Sequence, residues 1–366
     1  MANIKNRFIK FPLGALIVVF TIVFLYIAYV FISYHRLDDK LALEVGNPKY
    51  GYVKTGTAYT VVSWNIGFGA YEKDYSFFMD GGTESWAKSK NALEANLDKI
   101  MKELSSQNAD FYFIQEVDTD STRSYHVNQA KYLEKALKGY SFTFAENWDS
   151  PFLMYPLTQP HGKSVAGIMT FSGKGITEAV RRSLPIEDGV MKLVDLDRCY
   201  SISRVPVKDG GELVLFNLHL SAYTSDGKIA IEQLKMLLGD MQAEYEKGNY
   251  CIAGGDFNKD VVGGGSELFG VTGSPYNWAQ PIPAETFEGY DISLIGPYDP
   301  SNPVPSCRNA DAPYWKGQYQ VTVDGFMVSA NVKVLESRVI DTGFDYSDHN
   351  PVCMKFELSK RISETD

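Results

Sequence analysis

The longest apolar run opens the chain. No charged residue occurs between 11 and 32, and 13–32 is nearly all apolar. Twenty helical residues at 1.5 Å each span roughly 30 Å, the thickness of a bilayer core. The pattern therefore predicts a single membrane-spanning helix over 11–32, behind a tail over 1–10. Polar residues with the breakers Asn47, Pro48 and Gly51 come next, and 33–57 reads as a linker. Beyond it, β-rich runs predict strands at 59–64, 110–114, 140–145, 165–171, 199–205, 212–218, 250–253, 320–328, 332–339 and 352–358. Leu93, Leu97, Ile100, Met101 and Leu104 fall on one helical face; Ala230, Leu234, Leu237, Leu238 and Met241 mark a second helix over 227–246. A further helix is expected over 127–137. Strands and helices alternate without an internal repeat, which indicates one α/β domain over 58–360. The strands outnumber the helices that could separate them, so two mixed sheets packed together fit better than one parallel, doubly wound sheet. The stretch 259–318 is proline-rich and irregular, an insert of the kind that carries function or small elements of its own. A short tail, 361–366, ends the chain.

Composition narrows this picture. An apolar fraction of 45% with 13% aromatics supplies a packed core. The formal charge of −10 argues against a broad basic surface for nucleic acid, while leaving room for a narrow cationic or metal-bearing cleft. Lys5, Arg7 and Lys10 precede the apolar run, whereas Arg36, Asp38, Asp39 and Lys40 beyond it are mixed in sign. The positive-inside rule then places the N-terminus in the cytoplasm and the rest outside the cell membrane, as a single-pass protein. A cleaved signal peptide is the rival, but its apolar core usually runs only about 7–15 residues. Lys5, Arg7 and Lys10 are three of the 35 basic residues, so against 45 acidic ones the exported part carries −13. The four cysteines, Cys199, Cys251, Cys307 and Cys353, form no CxxC pair and indicate neither a zinc site nor a disulfide framework.

Candidate chemistry recurs at one topological position. Gly254-Gly255-Asp256-Phe257-Asn258 follows the run 250–253, where a buried strand opens to solvent. Paired glycines let a backbone approach a ligand closely, and Asp256 and Asn258, two apart, point the same way on an extended chain. An acid beside an amide suits a hard metal ion or a water aimed at a phosphate; Gly, Asp and Asn are also ordinary turn formers. Asn65, Glu116, His219 and Asp324 likewise follow or close apolar runs, and Asp348-His349 precedes one. Strand ends on one sheet edge converge in space, so these stations together define a candidate site.

The motifs Trp64-Asn65-Ile66, Gln115-Glu116-Val117, Asn217-Leu218-His219-Leu220, Gly255-Asp256-Phe257-Asn258, Val323-Asp324 and Ser347-Asp348-His349-Asn350-Pro351 occur in that order. This set resembles the endonuclease/exonuclease/phosphatase superfamily, with its deoxyribonuclease-I-like fold, over 57–358. The resemblance implies a four-layer α/β sandwich with two central mixed β-sheets. It implies metal at Glu116, with Asn65 beside it and Asp348 as a second metal-side carboxylate. Mg2+ is the implied cofactor, with Mn2+ as an alternative, and one or two ions remain open. Asp256 matches the group that orients or deprotonates the attacking water, and Asn258 the amide that holds that water and the phosphate. His349 matches the imidazole beside the scissile phosphate, with Asp324 as its carboxylate partner. His219 matches a phosphate or leaving-group donor, absent from the abasic-site nuclease branch and present in the deoxyribonuclease, sphingomyelinase, deadenylase and inositol-phosphatase branches.

Outside these motifs, Arg123 and Arg308 are each either a phosphate contact or an ordinary surface arginine. The aromatics of the insert, Trp278 and Tyr298 among them, are either a substrate wall or a satellite core. His35, His126 and His161 fit no station and read as surface or loop residues. The expected activity is Mg2+-dependent hydrolysis of a lipid headgroup or small phosphoester by a monomer, outside the membrane. A metal-dependent nuclease is the alternative, and a non-catalytic ectodomain binding module a second one.

Overall fold

The computed structural model describes residues 2–208, 210–222 and 228–360. In chain order its elements are α1 (Ala2–Ser33), β1 (Leu41–Ala42), β2 (Ala58–Asn65), α2 (Lys90–Gln107), β3 (Phe111–Asp118), α3 (Gln129–Ala136), β4 (Ser141–Asp149), β5 (Val165–Ser172), β6 (Glu178–Ser183), β7 (Cys199–Pro206), β8 (Glu212–His219) and α4 (Lys228–Glu246). They continue with β9 (Tyr250–Asp256), β10 (Ile292–Ile295), β11 (Cys307–Arg308), β12 (Gln320–Val321), β13 (Asp324–Ser329), β14 (Val332–Val339) and β15 (Val352–Leu358).

Two mixed sheets form the centre. One runs β14-β15-β2-β3-β5-β4 and the other β1-β6-β7-β8-β9-β13-β10. Only β2/β3 and β8/β9 pair in parallel; the remaining ladders of both sheets are antiparallel. The period-2 alternation of strands explains the layering. Val61, Phe113 and Met354 face Leu215, Ile252 and Phe326 of the other sheet. The next residues along, Val62, Trp64 and Ile114, turn outward onto Ile100 and Leu104 of α2 and Leu133 of α3. On the far side, Val214, Phe216 and Ala253 meet Leu234, Leu237 and Met241 of α4. The result is the expected four-layer sandwich. Ser89 and Asn128 cap α2 and α3 by accepting from the amides of Ala92 and Lys131. Between the sheets, near the edge that carries the motifs, Gln115 Nε2 donates to Asn217 Oδ1 at 2.7 Å, and Asn217 Nδ2 to the Met169 carbonyl at 2.8 Å. This polar tie holds β3 and β8 in fixed register across the interface.

Several expectations change. The strand expected over 320–328 is broken at Thr322: β12 pairs with β11, and β13 begins afresh at Asp324 in another sheet. The strands β1, β6 and β10, at the two ends of their sheet, carry too little apolar periodicity to be legible in the sequence. The segment 33–57 is no free linker. Arg36 and the Leu37 amide bind Asp197, Asp39 pairs with Arg182, β1 adds to β6, and Val53 is buried beside Val207. Polar composition hid this strap because its attachments are ion pairs and backbone bonds. Residues 2–10 of the expected tail are part of α1; Met1, the tail 361–366 and the expected helix start at Gly227 lie outside the described residues. Within α1, Gly14–Ser33 has a mean hydropathy of 2.8 and is long and apolar enough to cross a membrane. The insert 259–318 holds β10, β11 and two short 3-10 turns. Its aromatics divide: Phe287 and Tyr290 pack on the α4 core, and Trp278 on a satellite cluster around Tyr319 and Val321. All four cysteines are free and buried.

Two glycines at the end of β9 are structural requirements. A Cβ on Gly254 would lie 2.6 Å from the Phe326 ring, inside the sheet–sheet core. Gly255 has φ +148, and its Cβ would fall 2.0 Å from the Leu218 carbonyl oxygen. Gly254→Ala is expected to cost about 1–3 kcal/mol of stability through overpacking. Gly255→Ala is expected to cost more, because backbone cannot yield as a ring can; denaturant unfolding of the two variants checks the order.

Candidate active site

β9 runs parallel to β8 and antiparallel to β13, and this alone gathers three stations. His219 at the end of β8 and Asp324 at the start of β13 are both register partners of Asp256. Asp324 therefore opens its strand, and it reaches the site because β13 runs opposite to β9. Asp256 Oδ1 accepts from the Asn258 amide at 2.8 Å, and Oδ2 from Asn65 Nδ2 at 3.1 Å. The same Oδ2 lies 3.5 Å from His219 Nε2 and 3.8 Å from His349 Nε2. Asn258 has φ +50 and donates from Nδ2 to the Leu220 carbonyl, which fixes its amide at the cleft wall.

His349 and Asp324 form the expected acid–imidazole pair, Nδ1 to Oδ2 at 2.8 Å, and Ser306 Oγ donates to the same oxygen at 2.7 Å. Trp64 Nε1 donates to the His349 carbonyl, anchoring the backbone of β2 to the loop before β15. Burial works against a charged imidazole, yet Asp324 and Asp256 outweigh it, and His349 is raised well above its ordinary value. His219 goes the other way: burial, with Arg198 and His349 nearby, lowers it well below the ordinary range. Asp256 is pushed up to about 7, chiefly by burial, which His349 opposes and Asp324 assists. One edge thus holds a cationic imidazole, a neutral imidazole and a carboxyl poised between them.

The oxygen donors lie alongside. Glu116 sits where β3 bulges against β5, between Ile114 and Val117, with φ +56. Bulges re-aim side chains, and here the bulge presents a half-buried carboxylate to the cleft. Asp348 is raised to about 6 by burial, against the pull of His349, with the Glu116 carboxylate adding to the rise. Two carboxylates that repel each other across a cleft fit a hard divalent cation. Asn65 sits between the acids: its Nδ2 donates to Glu116 and Asp256, and its Oδ1 accepts from the Gly67 amide. It orients both acids, and its Oδ1 keeps a second lone pair. Asp256, Asp324 and His349 bring donor atoms within 4.8 Å of one another, but Asp324 Oδ2 and His349 Nδ1 are already bonded to each other, which suits proton handling better than a cation.

The arginines depart from the surface reading. Arg123 is buried, gives its Nε and Nη2 fork to Asp118 at 3.0 and 2.8 Å, and stacks over Phe68. Arg308 is buried too, and spends its Nη groups on the carbonyls of Asn309, Tyr71 and Glu72. Both line the cleft without being surface residues; Arg123 gives its fork to Asp118, and Arg308 keeps a buried Nε without a partner. His161 is likewise buried, against Trp148 and Phe77, and lowered to about 3 by burial and by Arg123. His126 and His35 are exposed, as expected.

Arg198 was missed. It is 6% exposed, lines the cleft, and leaves Nε and Nη1 without a partner. The available signal was its place immediately before β7: a strand antiparallel to β8 must start where β8 ends. An apolar run marks a strand end locally, whereas an antiparallel strand start has no such local mark. Glu116, Arg198, His219, Asp256, Asp348 and His349 line one open cleft, with Trp278 on its wall.

The family model described as the Endonuclease/Exonuclease/phosphatase family matches residues 62–349. No curated protein matches the chain closely enough to count as a relative. Among solved structures, an endonuclease/exonuclease/phosphatase from Beutenbergia cavernae is 18% identical, with 82% of this chain and 72% of that one covered and a TM-score of 0.58. ANGEL2, a 2',3'-cyclic phosphatase solved with adenosine-2',3'-vanadate, is 18% identical over 87% of this chain and 99% of its own, with a TM-score of 0.56. The human Nocturnin catalytic domain with bound sulfate is 18% identical over 87% and 98%, with a TM-score of 0.51. At such identities these structures establish the shared fold. The family match extends from β2 to His349, across every motif gathered at the sheet edge, so the chain belongs to the endonuclease/exonuclease/phosphatase family and is a phosphoester hydrolase.

Proposed function

We propose that the protein hydrolyses a lipid-headgroup or small phosphoester by attack of water on phosphorus, with Asp256 as the base. The observation that carries this reading is the position of Asp256 Oδ2 between two imidazoles of opposite charge state, 3.5 and 3.8 Å away. A general base works best with a pKa near the operating pH, and burial has raised Asp256 to about 7. Asn65 and the Asn258 amide hold its carboxylate in place, leaving it free to align and deprotonate a water. The His349 imidazolium, kept protonated by Asp324, stabilises charge that builds on the phosphoryl oxygens. Neutral His219 orients the phosphate or the leaving oxygen. The unpaired Arg198 guanidinium is the natural ligand for a phosphate, since a buried cation without a counter-charge is costly. Glu116 and Asp348 would hold Mg2+, which when bound supplies Lewis-acid stabilisation of the phosphoryl oxygens. With α1 as a single-pass anchor and the basic residues Lys5, Arg7 and Lys10 on the cytoplasmic side, the cleft lies outside the cell membrane. Nucleic acid is the second reading: Trp278 offers the cleft a stacking face, and ANGEL2 was solved with a nucleoside vanadate.

The direct test offers the purified full chain, with Mg2+, a generic phosphate bis-ester, sphingomyelin, phosphatidylinositol, RNA and plasmid DNA. Asp256→Asn is expected to lower kcat by about 10²–10⁴-fold with the fold intact by circular dichroism. Undiminished turnover in that variant removes Asp256 from the chemistry, and a preference for DNA over lipid reverses the substrate assignment. The pH–rate profile carries a second expectation. Activity rises with pH through about 7, as Asp256 loses its proton. Asp324→Asn removes a carboxylate that raises both Asp256 and His349, so both limbs of the profile move to lower pH. Removal of metal by EDTA abolishes turnover and Mg2+ restores it. Glu116→Gln is expected to raise the Mg2+ needed for half-maximal rate by at least about 10-fold.

A further inference from the structure

The end of α1, the loop 151–161 and the catalytic cleft are neighbours in space. Tyr26 Oη donates to the Phe152 carbonyl at 3.1 Å and accepts from the Met154 amide at 3.2 Å; Tyr29 Oη accepts from the Phe152 amide at 2.9 Å. Both tyrosines lie inside the span Gly14–Ser33. Tyr26 is two helical turns before Ser33, about 10 Å along the axis. A loop bonded there sits below the point where the helix leaves the hydrocarbon region. Its sequence suits that depth. Phe152, Met154, Tyr155 and Leu157 are all exposed, Leu157 at 80% and Tyr155 at 69%, in an otherwise well-packed domain. A cluster of large apolar side chains facing water on one loop is the mark of an interaction surface.

The same loop adjoins the cleft. Tyr155 packs on Phe78 at 5.8 Å between ring centroids, and the next residue, Met79, lines the cleft and is 62% exposed. A small cavity at the exit of α1, lined by Tyr34 and His35, shares Trp148, Asp195 and Leu196 with the cleft wall. Arg36 fastens the chain to Asp197, beside Arg198 of that wall. The strap after α1 therefore fixes the cleft near the membrane surface, where a free linker would have let the domain tumble.

We infer that loop 151–161, with Met79, is a membrane-docking surface that enters the outer leaflet beside α1 and turns the cleft toward phosphate groups of lipids in the same bilayer. The inference rests on the reading of α1 as a membrane span and, for its substrate, on the phosphoester-hydrolase reading. The occupant is the bilayer itself, since the loop's own backbone is bonded to the spanning helix within about 10 Å of its outer end.

The test uses the full chain reconstituted in phosphatidylcholine vesicles. Leu157→Cys, labelled with an environment-sensitive fluorophore, is expected to emit at shorter wavelength and to be quenched by phosphatidylcholine carrying a shallow spin label. The four native cysteines are buried, and Lys333→Cys, exposed on β14 at the opposite end of the sheet, gives the water-exposed reference. Leu157→Cys emission matching Lys333→Cys, without quenching, overturns the docking surface whatever the enzyme's substrate. A variant with Phe152, Met154, Tyr155 and Leu157 all changed to Ser then reads function. Burial of a single such side chain is worth about tenfold or more in binding. Turnover of bilayer lipid is therefore expected to fall at least tenfold, with turnover of a water-soluble bis-ester unchanged. Equal lipid turnover by this variant and the parent overturns the inference. Docking by fluorescence without lipid turnover, in a chain active on the soluble ester, overturns only the same-bilayer substrate.

Discussion

Two carboxyl groups, those of Asp256 and Asp324, are held almost wholly out of water beside the imidazole of His349, and the half-buried Asp348 adjoins them. Isolated ionised acids are too costly to bury, so each must be neutralised, paired or hydrogen-bonded. Asp324 is paired with His349 and steadied by Ser306. Asp256 is bonded by Asn65 and the Asn258 amide and still rises to about 7. Asp348 faces Glu116 and rises to about 6. Much of the surrounding architecture serves this arrangement. β9 and β13 must pair in register, Gly254 and Gly255 must leave room, β3 must bulge at Glu116, and Gln115 must clasp Asn217 so that the two sheets meet at one edge. Burial that is costly for the fold is what tunes the site's acid and bases apart.

The legibility of this site in the sequence follows from its construction. Strands that deliver their last residue to the edge were visible, because an apolar run ending in a lone acid, amide or histidine is a local pattern; Asn65, His219 and Asp256 belong to this class. Residues delivered by strand starts needed the pairing direction, which no local pattern carries. Asp324 was placed correctly at the site but on a strand that proved to be two, and Arg198 was not seen. The burial of Arg123, Arg308 and His161 depends on distant segments: Arg308 bonds the Tyr71 and Glu72 carbonyls, His161 the Ser85 carbonyl, and Arg123, though paired with nearby Asp118, is covered by Phe68 and Trp148. The strap 33–57 is held in the same way. Its composition is that of a linker, and its attachment comes from Asp197, Arg182 and β6.

The strap and the loop 151–161 also change what the apolar N-terminal helix does. As a tether it would only localise the domain. Bonded through Tyr26 and Tyr29 to a loop beside the cleft, and through Arg36 to the cleft wall, it orients the domain as well. On the proposed reading, with α1 in the bilayer and the cleft facing its lipids, an acidic surface with a cleft that carries its own buried arginines needs no basic exterior to gather a phosphoester.

The central claim is electrostatic: one sheet edge keeps His349 cationic and His219 neutral, with Asp256 between them. Titration of 15N-histidine-labelled, metal-free chain by NMR tests this most directly. The His349 ring, assigned by substitution, is expected to remain doubly protonated well above pH 6.5, and the His219 ring, assigned likewise so that the buried neutral His161 is not mistaken for it, to stay neutral well below it. Both rings titrating together near pH 6.5 would contradict the claim.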